Sequence, residues 1–105
     1  MLKRICFAFV LACQATLALA EVHKVSQKGK AFSTQTLTIK PDDSIMFLND
    51  DTTPHNVFSS SEGMRFNLKV QLPGTRNEQK FEKPGAGEIR CAIHPGMKIK
   101  IIIKE

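Results

Sequence analysis

Three side chains that bind soft metal ions follow one another at three-residue spacing near the end of the chain. Cys91, His94 and Met97 supply a thiolate, an imidazole and a thioether. Thiolate and thioether are soft ligands and imidazole is a borderline one, so together they suit copper that changes its oxidation state. A trigonal site of two histidines and one cysteine, with a weak axial methionine, needs one more imidazole. We predict that His55 supplies it.

The residues around these side chains suit two short and fixed loops. Cys91 ends a predicted strand, Pro95 limits the motion of the loop that follows, and Gly96 allows a sharp turn there. His55 begins another strand-like segment, directly after a loop that contains Pro54. One end of a β-sandwich can bring two such loops together, and the rest of the chain is then the scaffold that holds them.

Zinc and a catalytic cysteine–histidine pair are the competing interpretations. Thioether is a poor zinc ligand, and structural zinc sites take four Cys or His ligands, for which only His23 remains. A nucleophilic Cys91–His94 pair would need a third orienting group and a substrate cleft, and the sequence offers no evident candidate for either. We therefore expect that the protein is not an enzyme. We interpret Asp50 and Asp51 as a solvated turn.

The first twenty residues have the pattern of a secretory signal peptide. Lys3 and Arg4 precede an apolar run over residues 5–19, and Ala18-Leu19-Ala20 is a small-x-small cleavage pattern. The apolar run is shorter than the ~20 residues that a membrane-spanning helix needs. We predict that residues 1–20 are a signal peptide cleaved after Ala20, and that the protein is exported to the periplasm.

Removal of this leader would leave one copper-binding domain, residues 21–105, with a single cysteine. Cys6 and Cys13 belong to the leader, so Cys91 would have no disulfide partner in its own chain. A lone thiol in a compartment where disulfides form should be buried, metal-bound or paired to another chain. The alternative to a free, exported domain is membrane anchoring, either through a retained leader or through lipid on Cys13.

The charge of the chain excludes one class of partner. Of the formal net charge of +5, Lys3 and Arg4 contribute two, which leaves +3 after cleavage. The remaining lysines are scattered, and no basic stripe with interleaved aromatics suggests binding to nucleic acid. We expect no nucleic-acid partner, no stable membrane insertion after cleavage, and a monomer.

Short alternating segments between Gly and Pro signals predict an all-β sandwich. Residues 44–49 are apolar enough for a central strand, and residues 98–104 place Ile99, Ile101 and Ile103 on one face. Residues 64–72 alternate as a strand would, although a long crossing loop is the alternative. Further strands are predicted over 21–27, 36–40, 55–58, 78–81 and 88–92, and no segment shows a sustained helical period.

These residues resemble the type 1, or blue, copper proteins called cupredoxins. The resemblance rests on Cys91-x-x-His94-x-x-Met97 with His55-Asn56 upstream, and it covers roughly residues 22–104. The short loop is similar to that of amicyanin-like members, whereas other plastocyanin-like members often have a longer gap before the methionine. The resemblance implies a Greek-key β-sandwich with copper at one end. It also implies that His55, Cys91 and His94 are equatorial ligands and Met97 the axial one, and that Asn56 ties the two ligand-bearing loops together.

The site and the resemblance lead to one functional hypothesis and one alternative. We expect a soluble one-electron carrier between redox proteins, with a c-type cytochrome or a dehydrogenase as partners by resemblance. We predict that the ring edge of His94, beside Ile93 and Pro95, is the electron port. The alternative is a copper-ion carrier or storage module that delivers Cu(I) to an acceptor, with Met64 as an additional soft ligand.

Overall fold

The computed structural model describes residues 19–105, so the predicted signal peptide lies outside the described residues except for its last two positions. Leu19 and Ala20 have no regular structure and lead into the first strand. Residues 19–105 contain no helix that is long and apolar enough to cross a membrane. The described strands are β1 (Val22–Lys28), β2 (Ala31–Phe32), β3 (Thr36–Ile39), β4 (Ser44–Asn49), β5 (His55–Ser59), β6 (Phe66–Gln71), β7 (Arg76–Lys80), β8 (Gly85–Cys91) and β9 (Lys98–Ile103).

The strands form two sheets that enclose one core. One sheet has the order β2-β1-β4-β7 and the other has the order β3-β9-β8-β5-β6. The pairs β1–β4 and β3–β9 are parallel, while the remaining neighbours run antiparallel. The chain therefore crosses from sheet to sheet several times, and the predicted all-β, Greek-key sandwich is confirmed.

The core is built from the apolar faces of alternating strands. In β9, Ile99, Ile101 and Ile103 are buried, as their alternation predicts, while Ile102 points the other way and is half-buried. Phe47 in β4 is buried against them in the same cluster. Each fully buried side chain of this size contributes roughly 1.5–3 kcal/mol to folding. A slip of one residue would expose such a face, so burial fixes the register and with it the positions of the loops.

β6 is a strand and not a crossing loop, but its alternation changes face halfway. Phe66 and Leu68 are packed against the core, whereas Val70 is 63% exposed and Leu72 is 58% exposed. A β-bulge in the pairing of β5 with β6 adds one residue at this point, and Lys69 takes the left-handed backbone conformation there with φ of 60°. The sequence alternation over these four residues therefore does not place all of them on one face.

The candidate ligands lie at one end of the sandwich, and the first strand begins at the other. At the ligand end, β4 and β8 finish and β5 begins, so Asn49, His55 and Cys91 lie there. At the opposite end, β1 and β4 begin side by side with Val22 opposite Ser44.

Candidate metal centre

Three of the four predicted ligand residues meet at the ligand end. Nδ1 of His55 lies 3.6 Å from Sγ of Cys91 and 3.2 Å from Nδ1 of His94. Sγ of Cys91 lies 3.9 Å from Nδ1 of His94. His55 and Cys91 are buried and His94 is half-buried. Two imidazole nitrogens and one thiol therefore point into the same small space.

The separations of these three donor atoms fit one metal ion at their centre. Bonds of about 2.0 Å to nitrogen and about 2.3 Å to sulfur are usual for a first-row metal, and in a trigonal plane they put the nitrogens about 3.5 Å apart and each nitrogen about 3.7 Å from sulfur. The observed separations are 3.2, 3.6 and 3.9 Å. One soft thiolate with two imidazoles is the donor set of a type 1 copper site.

Met97, the predicted axial ligand, is buried at the end of the same loop and is 2% exposed. Its N–H donates to the carbonyl of His94 at 2.9 Å, and its carbonyl accepts the N–H of Cys91 at 3.4 Å. These two hydrogen bonds close the loop on itself and return the chain to the cysteine. Burial of the thioether beside this closed turn is consistent with the predicted role as a weak fourth ligand, which stays a prediction.

The pairing of β5 with β8 fixes where His55 lies relative to Cys91. Val57 is opposite Cys91 in the antiparallel register, and the Ala92 N–H extends the pairing by donating to the carbonyl of Asn56 at 3.0 Å. The N–H of Asn56 donates to Sγ of Cys91 at 3.3 Å. A hydrogen bond to the sulfur stabilises the thiolate form and tunes a metal bound to it.

The side chain of Asn56 does not make the contact that the resemblance implies. Its Nδ2 donates to Oδ1 of Asn67 in β6 at 3.0 Å, away from the ligand loop. The backbone N–H and carbonyl of Asn56 make the links to Cys91 and Ala92 instead, because both groups face β8 in this register. Asn56 therefore does link the two ligand-bearing segments, but through its backbone and not through its side chain.

Asp51 is a site residue that the sequence analysis assigned wrongly to a solvated turn. Its side chain is 12% exposed, and its Oδ2 lies 3.0 Å from Nε2 of His55. When Nδ1 of His55 binds a metal, the ring proton is on Nε2, and this N–H donates a hydrogen bond to the carboxylate. Hydrogen bonds from the Lys30 N–H, the His55 ring and the Thr52 N–H hold the pKa of Asp51 well below its usual range. An ionised carboxylate thus fixes the orientation and tautomer of the imidazole.

A buried amide brace supports the loop between β4 and β5. Oδ1 of Asn49 accepts the Asp51 N–H at 3.0 Å, while its Nδ2 donates to the carbonyls of Thr53 at 3.0 Å and Gln71 at 2.8 Å. Gln71 is itself held by a bond of 2.7 Å from its Nε2 to the carbonyl of Phe47. Asn49 and Gln71 are both almost fully buried. The brace therefore ties the loop that carries Asp51 to two strands of the scaffold.

His94 is the member of the donor group that extends towards solvent. Its Nδ1 faces the other donors, and the structure gives its Nε2 no hydrogen-bond partner within residues 19–105. Ile93 beside it is 48% exposed, and Pro95 is exposed as well. The exposed Val70 lies at the same end, because it pairs with Asn56.

His23 and Met64, which the sequence analysis considered as further ligands, lie elsewhere. His23 is at the opposite end, where its Nε2 is 2.9 Å from Oδ2 of Asp43. Met64 is buried in the core, beside Gly87. Within the described part of the chain, no further His, Cys or carboxylate joins the three-residue donor group. The fourth Cys or His ligand that a structural zinc site would require is not found in that part of the chain.

Comparison with protein families gives a match to nearly all of the described residues. The model of the copper binding proteins of the plastocyanin/azurin family matches residues 20–104. Amicyanin-alpha of Methylorubrum extorquens is 33% identical over 78 residues, which cover 70% of this chain. The match spans 64% of that relative's length.

Solved structures with the same fold include proteins of different sizes. A purple cupredoxin from Nitrosopumilus maritimus has a TM-score of 0.69 and 24% identity, and the match covers 78% of this chain and 99% of that one. An amicyanin variant in the Cu(I) state has a TM-score of 0.71 and 21% identity, with 79% of this chain and 82% of that one covered. The copper-containing nitrite reductase of Thermus scotoductus has a TM-score of 0.73 and 26% identity over 83% of this chain, but only 23% of the reductase is covered.

Proposed function

Because the chain belongs to the plastocyanin/azurin family of copper-binding proteins, we propose that it is a soluble one-electron carrier between redox proteins. Bound copper would supply the change between Cu(I) and Cu(II), and no bond in a substrate would be made or broken. One observation carries the proposal: the donor atoms of His55, Cys91 and His94 lie within 4.8 Å of one another, two of these residues are buried, and only His94 extends towards solvent.

The contribution of the protein to this function is a fixed donor geometry. The β5–β8 pairing holds His55 and Cys91, the closed turn holds His94 and Met97, and the carboxylate of Asp51 holds the His55 ring. Donors that cannot rearrange keep the site close to one geometry in both oxidation states, so little energy is lost when an electron moves. Burial excludes water, which strengthens the effect of each nearby dipole on the potential.

We propose His55, Cys91 and His94 as equatorial ligands and Met97 as the axial ligand. The deciding measurement is an optical and EPR spectrum of the purified, copper-loaded chain of residues 21–105. An intense visible band from the Cys91 thiolate is expected, and Cys91→Ser should remove it. Met97→Gln should retain copper while shifting both the spectrum and the reduction potential. A visible band that survives Cys91→Ser would overturn the ligand set.

Whether the protein keeps its copper distinguishes an electron carrier from a protein that delivers Cu(I) to an acceptor. An electron carrier should keep its copper through repeated oxidation and reduction in the presence of a Cu(I) chelator as acceptor. A delivery protein should release Cu(I) to the same chelator. The burial of Met64 in the core does not favour delivery, because this thioether is not available as a transfer ligand near the site.

Export and processing are part of the same proposal. The pattern of residues 1–20 supports cleavage after Ala20, and periplasmic copper chemistry suits a chain whose mature part retains one cysteine. Mass determination of the exported protein should give residue 21 as the first residue. A retained leader or a lipid on Cys13 would give a larger mass and would overturn this part.

A further inference from the structure

We propose that cleavage after Ala20 creates an ion pair that completes the fold, in which the new α-ammonium group of Glu21 binds the buried carboxylate of Asp43. The inference rests on the cleavage proposed above and adds a binding site for its product. Hydrolysis of the Ala20–Glu21 peptide bond consumes one water molecule and leaves a carboxylate on Ala20 and an ammonium group on Glu21. That ammonium group would carry a positive charge where the uncut chain has a neutral amide.

The acceptor is already in place at the end of the sandwich opposite the metal site. The backbone nitrogen of Glu21 lies 2.9 Å from Oδ1 of Asp43. Oδ2 of the same carboxylate accepts the Lys40 N–H at 3.0 Å and lies 2.9 Å from Nε2 of His23. The Asp43 side chain is only 5% exposed. Oδ2 of the buried Asp43 carboxylate is therefore held by Lys40 and His23. Its Oδ1 is within hydrogen-bond distance of the Glu21 nitrogen, which would be the N-terminal atom of the mature chain.

The position of Glu21 does not depend on the leader. Its carbonyl accepts the N–H of Ser44 at 2.9 Å, and β1 begins at the next residue, beside β4. Leu19 is exposed, and neither it nor Ala20 belongs to a strand. Cleavage after Ala20 therefore removes no strand pairing and leaves the Glu21 nitrogen beside Asp43. Cleavage one residue later would remove that nitrogen altogether.

The charges around Asp43 suit a cation at this point. Hydrogen bonds from the Glu21 N–H, His23 and the Lys40 N–H lower the pKa of Asp43 to about 2, so the carboxylate is ionised at neutral pH. Lys40, Lys104, Glu21 and Glu105 line a cavity of about 260 Å³ beside it together with His23, so both signs of charge occur around the pair. The uncut chain offers this ionised carboxylate a neutral amide donor, and the mature chain would offer it a cationic one. Processing would thus add the attraction between opposite charges to a hydrogen bond that the sheltered carboxylate already accepts.

Two chains of equal net charge test the docking. One begins at Glu21, released from a fusion by a protease that leaves no added residue, and the other begins at Ala18 and keeps three leader residues. Both carry one α-ammonium group, but only the first can bring it to Asp43. In the copper-loaded form, the chain beginning at Glu21 should unfold at a temperature higher by about 4 °C or more, the shift expected in a domain of this size for one such bond.

Asp43→Asn in both chains completes a double-mutant cycle. The substitution should lower the unfolding temperature of the Glu21 chain more than that of the Ala18 chain, because only the Glu21 chain loses an ion pair with its own α-ammonium group, whereas both lose the contact with His23. Equal losses would show that Asp43 serves only the backbone and would overturn the proposal. Asp42→Asn, at the exposed neighbouring carboxylate, is the matched control and should affect both chains equally.

A labelling experiment uses the two unsubstituted chains, so its result does not depend on whether a variant folds. At pH near 7, an amine-acylating ester should label the α-amine of the Glu21 chain at least about 10-fold more slowly than that of the Ala18 chain, as measured by peptide mapping. Equal rates would mean that the amine is free in both and would overturn the docking. If the exported protein begins elsewhere than at Glu21, the processing itself fails, even where the engineered chain shows the ion pair.

Discussion

At the scale of single residues, the carboxylate of Asp51 adds a second negative charge to the site, beside that of the Cys91 thiolate. It contacts the far nitrogen of the His55 ring at 3.0 Å, and two backbone N–H groups hold it in place. An imidazole that donates to a carboxylate is a stronger electron donor towards a metal on its other nitrogen. We therefore assign to Asp51 a role in setting the reduction potential.

Asp51→Asn should raise the reduction potential of the copper-loaded chain. The amide oxygen can still accept the proton of His55, so the ring keeps its orientation, but the lost negative charge makes the oxidised, more positive ion less stable. Protein-film voltammetry measures the effect. Asp50→Asn is the matched control, because it removes the same charge from an exposed neighbour and should leave the potential nearly unchanged. An unchanged potential in Asp51→Asn would contradict the assignment.

Single residues also show what the sequence could and could not reveal. The meeting of Cys91 and His94 was predictable because their spacing lies within one loop, where a short chain segment decides which side chains can meet. Asp51 was not, because its orientation depends on the N–H of Lys30, a residue distant in sequence. The position of Asp51 four residues before His55 was the only hint in the sequence that the two side chains could meet. The same sequence is equally compatible with a solvated turn.

At the scale of structural elements, the loop between β4 and β5 depends on one buried side chain. Asn49 contacts Asp51, Thr53 and Gln71, and these three bonds hold the loop that presents His55. Removing a buried hydrogen-bonding partner costs more than the bond itself, because the groups left behind lose their solvation as well.

Asn49→Ala should destabilise the metal-free chain by roughly 1–3 kcal/mol, the range for buried polar groups that lose a partner. Chemical unfolding followed by circular dichroism gives the value. The same substitution at Asn77, which is exposed in β7, should have little effect. Equal losses at the two positions would mean that the brace does not support the loop. We also expect weaker copper retention in the Asn49 variant, since the His55 loop would be less ordered.

β6 shows why strand positions are easier to predict than strand faces. The alternation of residues 66–72 predicts a strand, and a strand forms there. Where a bulge will occur depends on how the neighbouring β5 strand is paired, and a single sequence does not contain that register. The two-residue strand β2 was not predicted for the same reason, because it depends on a strand pairing. It forms where residues 31 and 32 fold back and pair with residues 28 and 27 of β1.

At the scale of the whole molecule, most of the exposed large apolar side chains of residues 21–105 lie at the ligand end. Val70, Leu72 and Ile93 are all about half exposed or more, and β6 and the ligand loop bring them to the end that holds His94. At the opposite end, Val22 is 53% exposed. An apolar area around the half-buried histidine suits brief contacts between redox proteins, whose interfaces are typically small.

Ile93→Lys should slow electron self-exchange between two copies of the copper-loaded chain by at least about 10-fold, because it places equal charges at the contact. The visible spectrum should remain unchanged, since Ile93 is not one of the proposed ligands. Self-exchange is measured from NMR line widths in mixtures of oxidised and reduced protein. Val22→Lys adds the same charge at the opposite end and should leave the rate nearly unchanged. Equal slowing by both variants would contradict a port at His94.

Acid stability is a further property of the whole molecule. Asp43 has its pKa lowered from 3.8 to about 2 in the folded chain, so it binds its proton less readily there than in the unfolded chain. Its contribution to stability is therefore full above pH ~4 and is lost as the pH falls towards 2. Thermal unfolding of the metal-free protein should show this decline, and Asp43→Asn should make it shallower. A decline of the same steepness in both proteins would contradict the assignment.

The parallel pairing of β3 with β9 joins residues 36–39 to residues 100–103, so each residue pairs with one 64 positions further along the chain (100 − 36). Contacts between such distant positions form slowly, on the order of milliseconds to seconds in all-β domains, because a long loop must close before the pairing is stabilised. The donor residues of the metal site lie between β3 and β9 in the sequence, at the start of β5, at the end of β8 and in the turn after it. We therefore expect the metal to bind late in folding. A shortened chain without β9 would contain all four proposed ligands, but they would not be held together in a metal site.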